Sequence, residues 1–309
     1  MENNNSIVGI KVNGTSIPAK CIMIIKKYQD LPISEVKQRI ENNQYILVCD
    51  YIDDNGIKAV LGLYSELNSE GINCSLYEHN NLTNIKFLNS LLESYEETRK
   101  QVEEDIDREV QAEILETVLS DFIKYSDVDK KIISQYENQL PQEIIDLWKN
   151  YGYGTFYNGY LKIINPNEYK ELIENSYFQG NVSLPVFVTA FGDIITWEKN
   201  QFLGIIKYRY GENDVISDGF DFFFEDLSSG EFDEEIFSIN KYKEAIDKYG
   251  KLEYDECFGY TPILGMGGTE SVENLKKVKI KEHIALIKAI KIVMNNAANL
   301  IGIILREEM

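Results

Sequence analysis

From Leu82 to Tyr125 the apolar residues return at three- and four-residue steps: Leu88, Leu91, Leu92, Tyr95, Val102, Ile106, Val110, Ile114, Leu115, Val118, Leu119 and Phe122. That spacing keeps one side of an α-helix apolar over about a dozen turns. A helix so long outruns a single small core. The chain is therefore expected to fold as separate blocks: residues 1–80, a helical connector over 81–137, and residues 138–309. The other face of the connector is acidic, with eleven Asp or Glu against three Lys or Arg between Glu93 and Asp121. Such a run is ordinarily a solvated face, and here it reads as part of the linker.

The first block switches period repeatedly. IVGIKV alternates as a short strand, and Pro18–Tyr28 and Ile33–Ile40 carry helical spacing. Ser34 is placed to cap the second helix, with Glu35 and Lys37 on its wet side. YILVCD is a continuous apolar strand, and Asp53 and Asp54 open a third helix that runs to Glu70 and closes at Gly71. Ile72, Cys74 and Leu76 then share one face of an alternating strand. The order β-α-α-β-α-β gives a small α/β sandwich.

After the connector, LPQEIIDLWKNYGYG reads as a helix with Pro141 in its first turn and glycine at its end. Gly152, Gly154 and Gly159 are expected to supply turn geometry. YLKIINP, PVFVTAFGDIITWE, QFLGIIKYRYG and DFFFED are short β segments between Gly- and Asn-rich turns, an antiparallel meander. Trp148, Phe191 and Trp197 lie among apolar neighbours and read as core anchors. A helix over Ile239–Tyr249, a Gly-rich turn and a C-terminal helical region complete the block. The whole is an α+β fold: a small N-terminal α/β sandwich, a long connecting helix and a C-terminal antiparallel-sheet α+β domain.

The chain of 309 residues carries a net charge of −20. A surface this negative repels phosphate backbones, which argues against direct nucleic-acid binding and for a basic partner. The start, MENNNSIVGIKVNG, lacks the basic flank and apolar run of a signal peptide, so a cytoplasmic location is expected. Ile284–Leu305 is the most apolar stretch near the end. Lys288, Lys291, Asn295, Asn296 and Asn299 interrupt it, so it reads as a core-facing helix and not a membrane span. Cys21, Cys49, Cys74 and Cys257 form no CxxC pair. They read as small buried hydrophobes in a reducing compartment, with no metal site.

Two resemblances follow from particular segments. KCIMIIKKYQDLPISEVKQRIE through SELNSEGINCSLYE resembles the C-terminal domain of the bacterial ribosomal stalk protein. That family's Gly-rich and Lys-rich factor-binding surface is missing here, so the resemblance implies the fold and not the ribosomal role. In the second block, four segments stand in the order seen in the GAD-like / type VI secretion immunity family. They are LPQEIIDLWKNYGYGTFYNGYLKIINPNEY, PVFVTAFGDIITWE with its FGD and Trp197, YGKLEYDECFGYTPILGMGGTES, and ENLKKVKIKEHIALI. The resemblance implies a non-catalytic antidote that binds and neutralises a cognate secreted toxin, a DNase in the best-known cases. The other reading is a regulatory or translation-associated interaction module, suggested by the stalk-like block and by the GAD name, which comes from tRNA-charging proteins.

No catalytic constellation accompanies these motifs. His79 and His283 lie in different blocks, and no GxSxG nucleophile motif occurs. Asp255 and Glu256 are adjacent, which on a strand sends them to opposite faces. GMGGTES lacks the lysine of a phosphate loop. Neither enzyme activity nor a cofactor is expected. The candidate partner surface is instead the stretch from Glu212 to Asn240, which holds ten acidic residues and no Lys or Arg. Within it Asp218, Asp221, Glu225, Asp226, Asp233, Glu234 and Glu235 are the expected contacts. Phe220, Phe222, Phe223, Phe224, Phe232 and Phe237 are interleaved as possible aromatic anchors, and Gly211, Gly219 and Gly230 suggest exposed loops.

Overall fold

The computed structural model describes residues 6–14 and 18–307, with side chains placed through residue 297 except at 295. The chain divides into two compact units, Met1–Arg108 and Glu109–Met309.

In the first unit the elements follow in the order β1 (Ile7–Val12), α1 (Ala19–Tyr28), α2 (Ile33–Glu41), β2 (Leu47–Asp50), α3 (Asp54–Ser69), β3 (Cys74–Glu78) and β4 (Asn81–Thr83). The strands form one antiparallel sheet in the order β2-β1-β3-β4. The β-α-α-β-α-β reading holds, with β4 added as a short edge. Val8, Ile10 and Val12 alternate inward and meet Cys21 and Ile25 of α1 and Ile57, Val60, Leu63 and Leu67 of α3. Asp53 caps α3 by accepting the Gly56 N–H at 2.9 Å. Gly71, at φ +73°, takes the left-handed position after the helix. Ser34 is not a cap. The N-cap of α2 is Pro32, which fixes the entry without a side-chain bond.

The long helix α4 covers Ile85–Val118. It stops short of Tyr125, because Ile123–Ser126 forms the edge strand β5. Three- and four-residue spacing cannot register that pairing, which depends on a strand distant in sequence. Within α4, Val102, Ile106 and Val110 are half exposed, whereas Leu88 and Val118 are buried.

The second unit continues with α5 (Lys130–Tyr136), α6 (Gln142–Asn150), β6 (Tyr153–Phe156), β7 (Leu161–Ile163), α7 (Pro166–Glu174), β8 (Leu184–Thr189), β9 (Ile194–Glu198), β10 (Phe202–Lys207) and β11 (Glu212–Asp218). Then come α8 (Phe220–Ser229), α9 (Ile239–Tyr249), the hairpin β12 (Glu256–Tyr260) and β13 (Leu275–Lys279), and α10 (Ile280–Glu307). Strands β5 to β11 lie in sequence order in a seven-stranded antiparallel sheet, the expected meander. Pro141 stands at the N-cap of α6, one place before the helix.

Both faces of this sheet are covered. Val186, Phe187, Ile195, Trp197 and Ile205 enter a core with α6, α8 and α9. Their strand neighbours Val188, Ile194 and Ile206 point the other way, into a second core with Tyr169, Ile173, Cys257, Ile280 and Ile284. Two-sided burial explains why β8 and β9 read as apolar runs and not as alternation. Gly152 and Gly159 have the positive φ expected of turns, but Gly154 does not. It lies on β6, where a Cβ would sit 2.4 Å from the Ile123 carbonyl oxygen, so close approach of β5 demands glycine there.

Two expectations need correcting. DFFFED is not a strand but the body of α8. Phe220, Phe223, Phe224 and Leu227 fall on one helical face and are buried, while Phe222 faces solvent. The start of α10 is core-facing through His283 and Ile284, but Leu286, Ile292, Val293 and Met294 are exposed. The side chains of residues 298–305 lie outside the described residues. No helix among the described residues is long and apolar enough to cross a membrane.

Candidate functional site

The acidic stretch begins on β11, which pairs with β10 and among the described residues forms an edge of the sheet. Glu212, Asn213, Asp214 and Val215 of this edge are exposed. Charged side chains on a free edge discourage non-specific strand pairing. At Gly219, φ is +100°, which turns the chain from β11 into α8. Gly230 ends α8 in the left-handed conformation, and a short turn leads to α9.

Of the expected contacts, Asp218, Asp221, Glu234 and Glu235 are exposed, whereas Glu225, Asp226 and Asp233 are half-buried. Several are engaged within the protein. Asp218 accepts from Gln201 Nε2 at 3.0 Å, and Glu225 accepts from Gln111 Nε2 at 2.7 Å. Asp233 accepts the Tyr157 hydroxyl, and burial together with that bond pushes the phenol well above its ordinary range. Glu234 accepts the Asn240 N–H at 2.9 Å in the first turn of α9, a capping bond. Burial raises the Asp226 carboxyl, with Glu231 and Glu225 adding like charge. Asp221 and Glu235 are thus the freest charges of the seven.

The aromatic anchors do not accompany them. Phe220, Phe223, Phe224, Phe232 and Phe237 all lie in the core, and Phe222 alone of the six is exposed, at 57 %. Helical spacing sends the phenylalanines inward and leaves the carboxylates outside, so the face is charged and nearly free of aromatic rings. Among the described residues no group of His, Cys, Asp and Glu is arranged to hold a metal ion.

Residues 109–207 match the GAD-like domain family. Residues 217–291 match the family described as T6SS immunity protein Tdi1, C-terminal. The C-terminal half is thus similar to the GAD-like and type VI secretion immunity families. The GAD-like match takes in the end of α4 and the edge strand β5, ahead of the first motif at Leu140. The Tdi1-type match contains α8, α9 and the β12–β13 hairpin, and with them all seven acidic candidates. No curated protein matches the chain. One solved structure, titled "Crystal structure of Atu4351 from Agrobacterium tumefaciens", aligns over 55 % of this chain and 86 % of its own at 18 % identity, with a TM-score of 0.47.

Inside the second unit lie buried charges that neither spacing nor composition announces. Asp193, the last residue of the FGD motif, and Arg209, between two tyrosines, face each other across the β9–β10 hairpin at 3.0 Å. The signal was an arginine set in the apolar run IIKYRYG. Burial pushes the Asp193 carboxyl up, against the pull of Arg209.

Lys162 on β7 is fully buried and donates to the Glu253 carbonyl at 3.0 Å. Burial pushes its amine from an ordinary 10.5 down to about 8, although Cys257, Glu256, Asp255 and Glu253 pull the other way. Between those two values the unfolded chain holds a proton that the native protein has lost. The cost of burying the charge is therefore fully present below pH 8 and is relieved as pH rises. Measured against a Lys162→Met variant, the second unit should gain up to about 2 kcal/mol between pH 8 and about 9.5, because both proteins share the opposing loss from Cys257 and the buried tyrosines, whose protons the unfolded chain releases first. Urea midpoints of both proteins, followed by tryptophan fluorescence at the two pH values, check it, and an equal change in the variant would assign the effect to another group.

Proposed function

We propose that this protein is a cytoplasmic antitoxin that binds a cognate secreted toxin of basic, nuclease-like charge and occludes its active cleft. The observation that carries the reading is the placement of exposed carboxylates, Asp218, Asp221, Glu234 and Glu235, inside the Tdi1-type match. An enzyme that holds a phosphate backbone needs a basic cleft. A face of carboxylates presents the same sign of charge as phosphate, so it is drawn to that cleft and competes for it. The proposal needs no catalytic group in the antitoxin and no direct contact with nucleic acid. The edge of β11 and the outer side of α8 would form the contact, with Asp221 and Glu235 at its centre.

The test is to mix the purified chain with a candidate toxin encoded by the neighbouring gene. A one-to-one complex is expected, with loss of nuclease activity and an association rate that falls steeply with added salt. A complex that leaves the nuclease fully active would rule out occlusion of the cleft.

A further inference from the structure

A cavity of about 230 Å³ lies in the second unit between the end of β10, the turn after β12 and the exposed stretch of α10. Arg209 lines it. Its side chain is 4 % exposed, and its guanidinium stacks over the rings of Phe191 at 4.3 Å and Tyr210 at 4.8 Å. Asp193 Oδ2 pairs with Nη2 at 3.0 Å, whereas Nε and Nη1 have no acceptor among the described residues. A guanidinium carries five N–H donors in a rigid fork. Leaving part of them unmatched in a buried place is costly, and acceptors can reach them from the cavity. Asp193 does not line that space.

The remaining walls define what fits. Lys291 and His283 come from α10, Tyr210 and Tyr260 supply rings, and Ile287 and Met294 close an apolar side. Burial lowers the His283 pKa, so that imidazole is neutral at pH 7. Glu270, which accepts from Tyr210 at the rim, is balanced by its ion pair with Lys241. Asp193 offsets Arg209, so among the described residues lining the cavity Lys291 carries the uncompensated charge. The volume matches about seven or eight waters, room for one ring and a small head group.

We propose that this cavity is a binding site for a small organic monoanion, a carboxylate on a planar apolar body, with the carboxylate on Arg209 and Lys291. A guanidinium fork matches a carboxylate bidentately, and the single net positive charge favours a monoanion over a dianion. The site is separate from the acidic face and does not depend on the toxin reading.

Calorimetry on the full chain with benzoate, benzamide and phenyl phosphate tests the proposal. Benzoate should bind, with benzamide and phenyl phosphate at least about tenfold weaker. Lys291→Met, at an exposed position that leaves the fold unchanged, should weaken benzoate by about tenfold. Arg209→Lys should abolish the bidentate contact and weaken it further. If that variant is unstable, the Lys291→Met titration still decides. No heat with benzoate up to about 10 mM, equal binding of benzamide, tighter binding of phenyl phosphate, or an unaffected Lys291→Met variant would each overturn it.

Discussion

Trp148→Ala should destabilise the second unit by about 3–5 kcal/mol, a large part of the stability of a typical domain. Trp148 is 2 % exposed on α6, with Tyr136 and Tyr153 packed edge-on at 6.0 and 6.2 Å. Truncation leaves a ring-sized void between α5, α6 and β6, and close-packed strands cannot collapse into it. Its indole N–H has no hydrogen-bond partner among the described residues. Trp148→Phe removes that unpaired donor along with part of the ring and should cost clearly less than Ala. Both tryptophans of the chain, Trp148 and Trp197, lie in the second unit, so the fluorescence of Trp197 reports its unfolding in the variant. Following one unit also avoids treating a two-unit chain as two-state. An unchanged urea midpoint together with lost partner binding would make Trp148 a contact residue.

Much of the fold was legible in the sequence because periodicity and punctuation agreed. Asp53 and Gly71 bracket α3 as a cap and a terminator should, and the alternating residues of β1 and β3 all face inward. Trp148, Phe191 and Trp197 are buried, as their apolar neighbours implied. The reading failed where two periods fit the same letters. In DFFFED the aromatic residues favour a strand by composition, yet Phe220, Phe223, Phe224 and Leu227 also satisfy helical spacing, and burial against Phe187 and Trp197 decides for the helix. Strand β5 was hidden for a related reason, since an edge strand exists only through its partner.

The candidate site was legible in charge but not in geometry. The absence of Lys and Arg from Glu212 to Asn240 locates an acidic stretch. It does not say that Glu234 caps α9 or that Asp233 holds Tyr157. Those bonds join residues whose meeting depends on the turn between α8 and α9. Nor does the sequence show that the phenylalanines leave the face for the core. The buried Asp193–Arg209 pair was missed because hairpin register, not spacing, brings the two together.

The central claim is that exposed carboxylates on the Tdi1-type segment steer a basic toxin onto the protein. Reversing Asp233 or Glu234 would confuse that test, because each holds an internal bond. Asp218 holds one too, with Gln201, whereas Asp221 and Glu235 are exposed and suit it better. Asp221 sits in the first turn of α8, where a lysine opposes the helix dipole at a cost of about 0.3–1 kcal/mol, small enough to leave the unit folded. Electrostatic steering raises association rates by roughly 10–1,000-fold, whereas dissociation depends on the packed contacts that remain. The most direct measurement is the association rate of the Asp221→Lys, Glu235→Lys double variant with the cognate toxin at low salt. The account predicts a fall of about tenfold or more and a weaker salt dependence, with the urea midpoint of the second unit nearly unchanged. An association rate and salt dependence equal to those of the unaltered protein would contradict it.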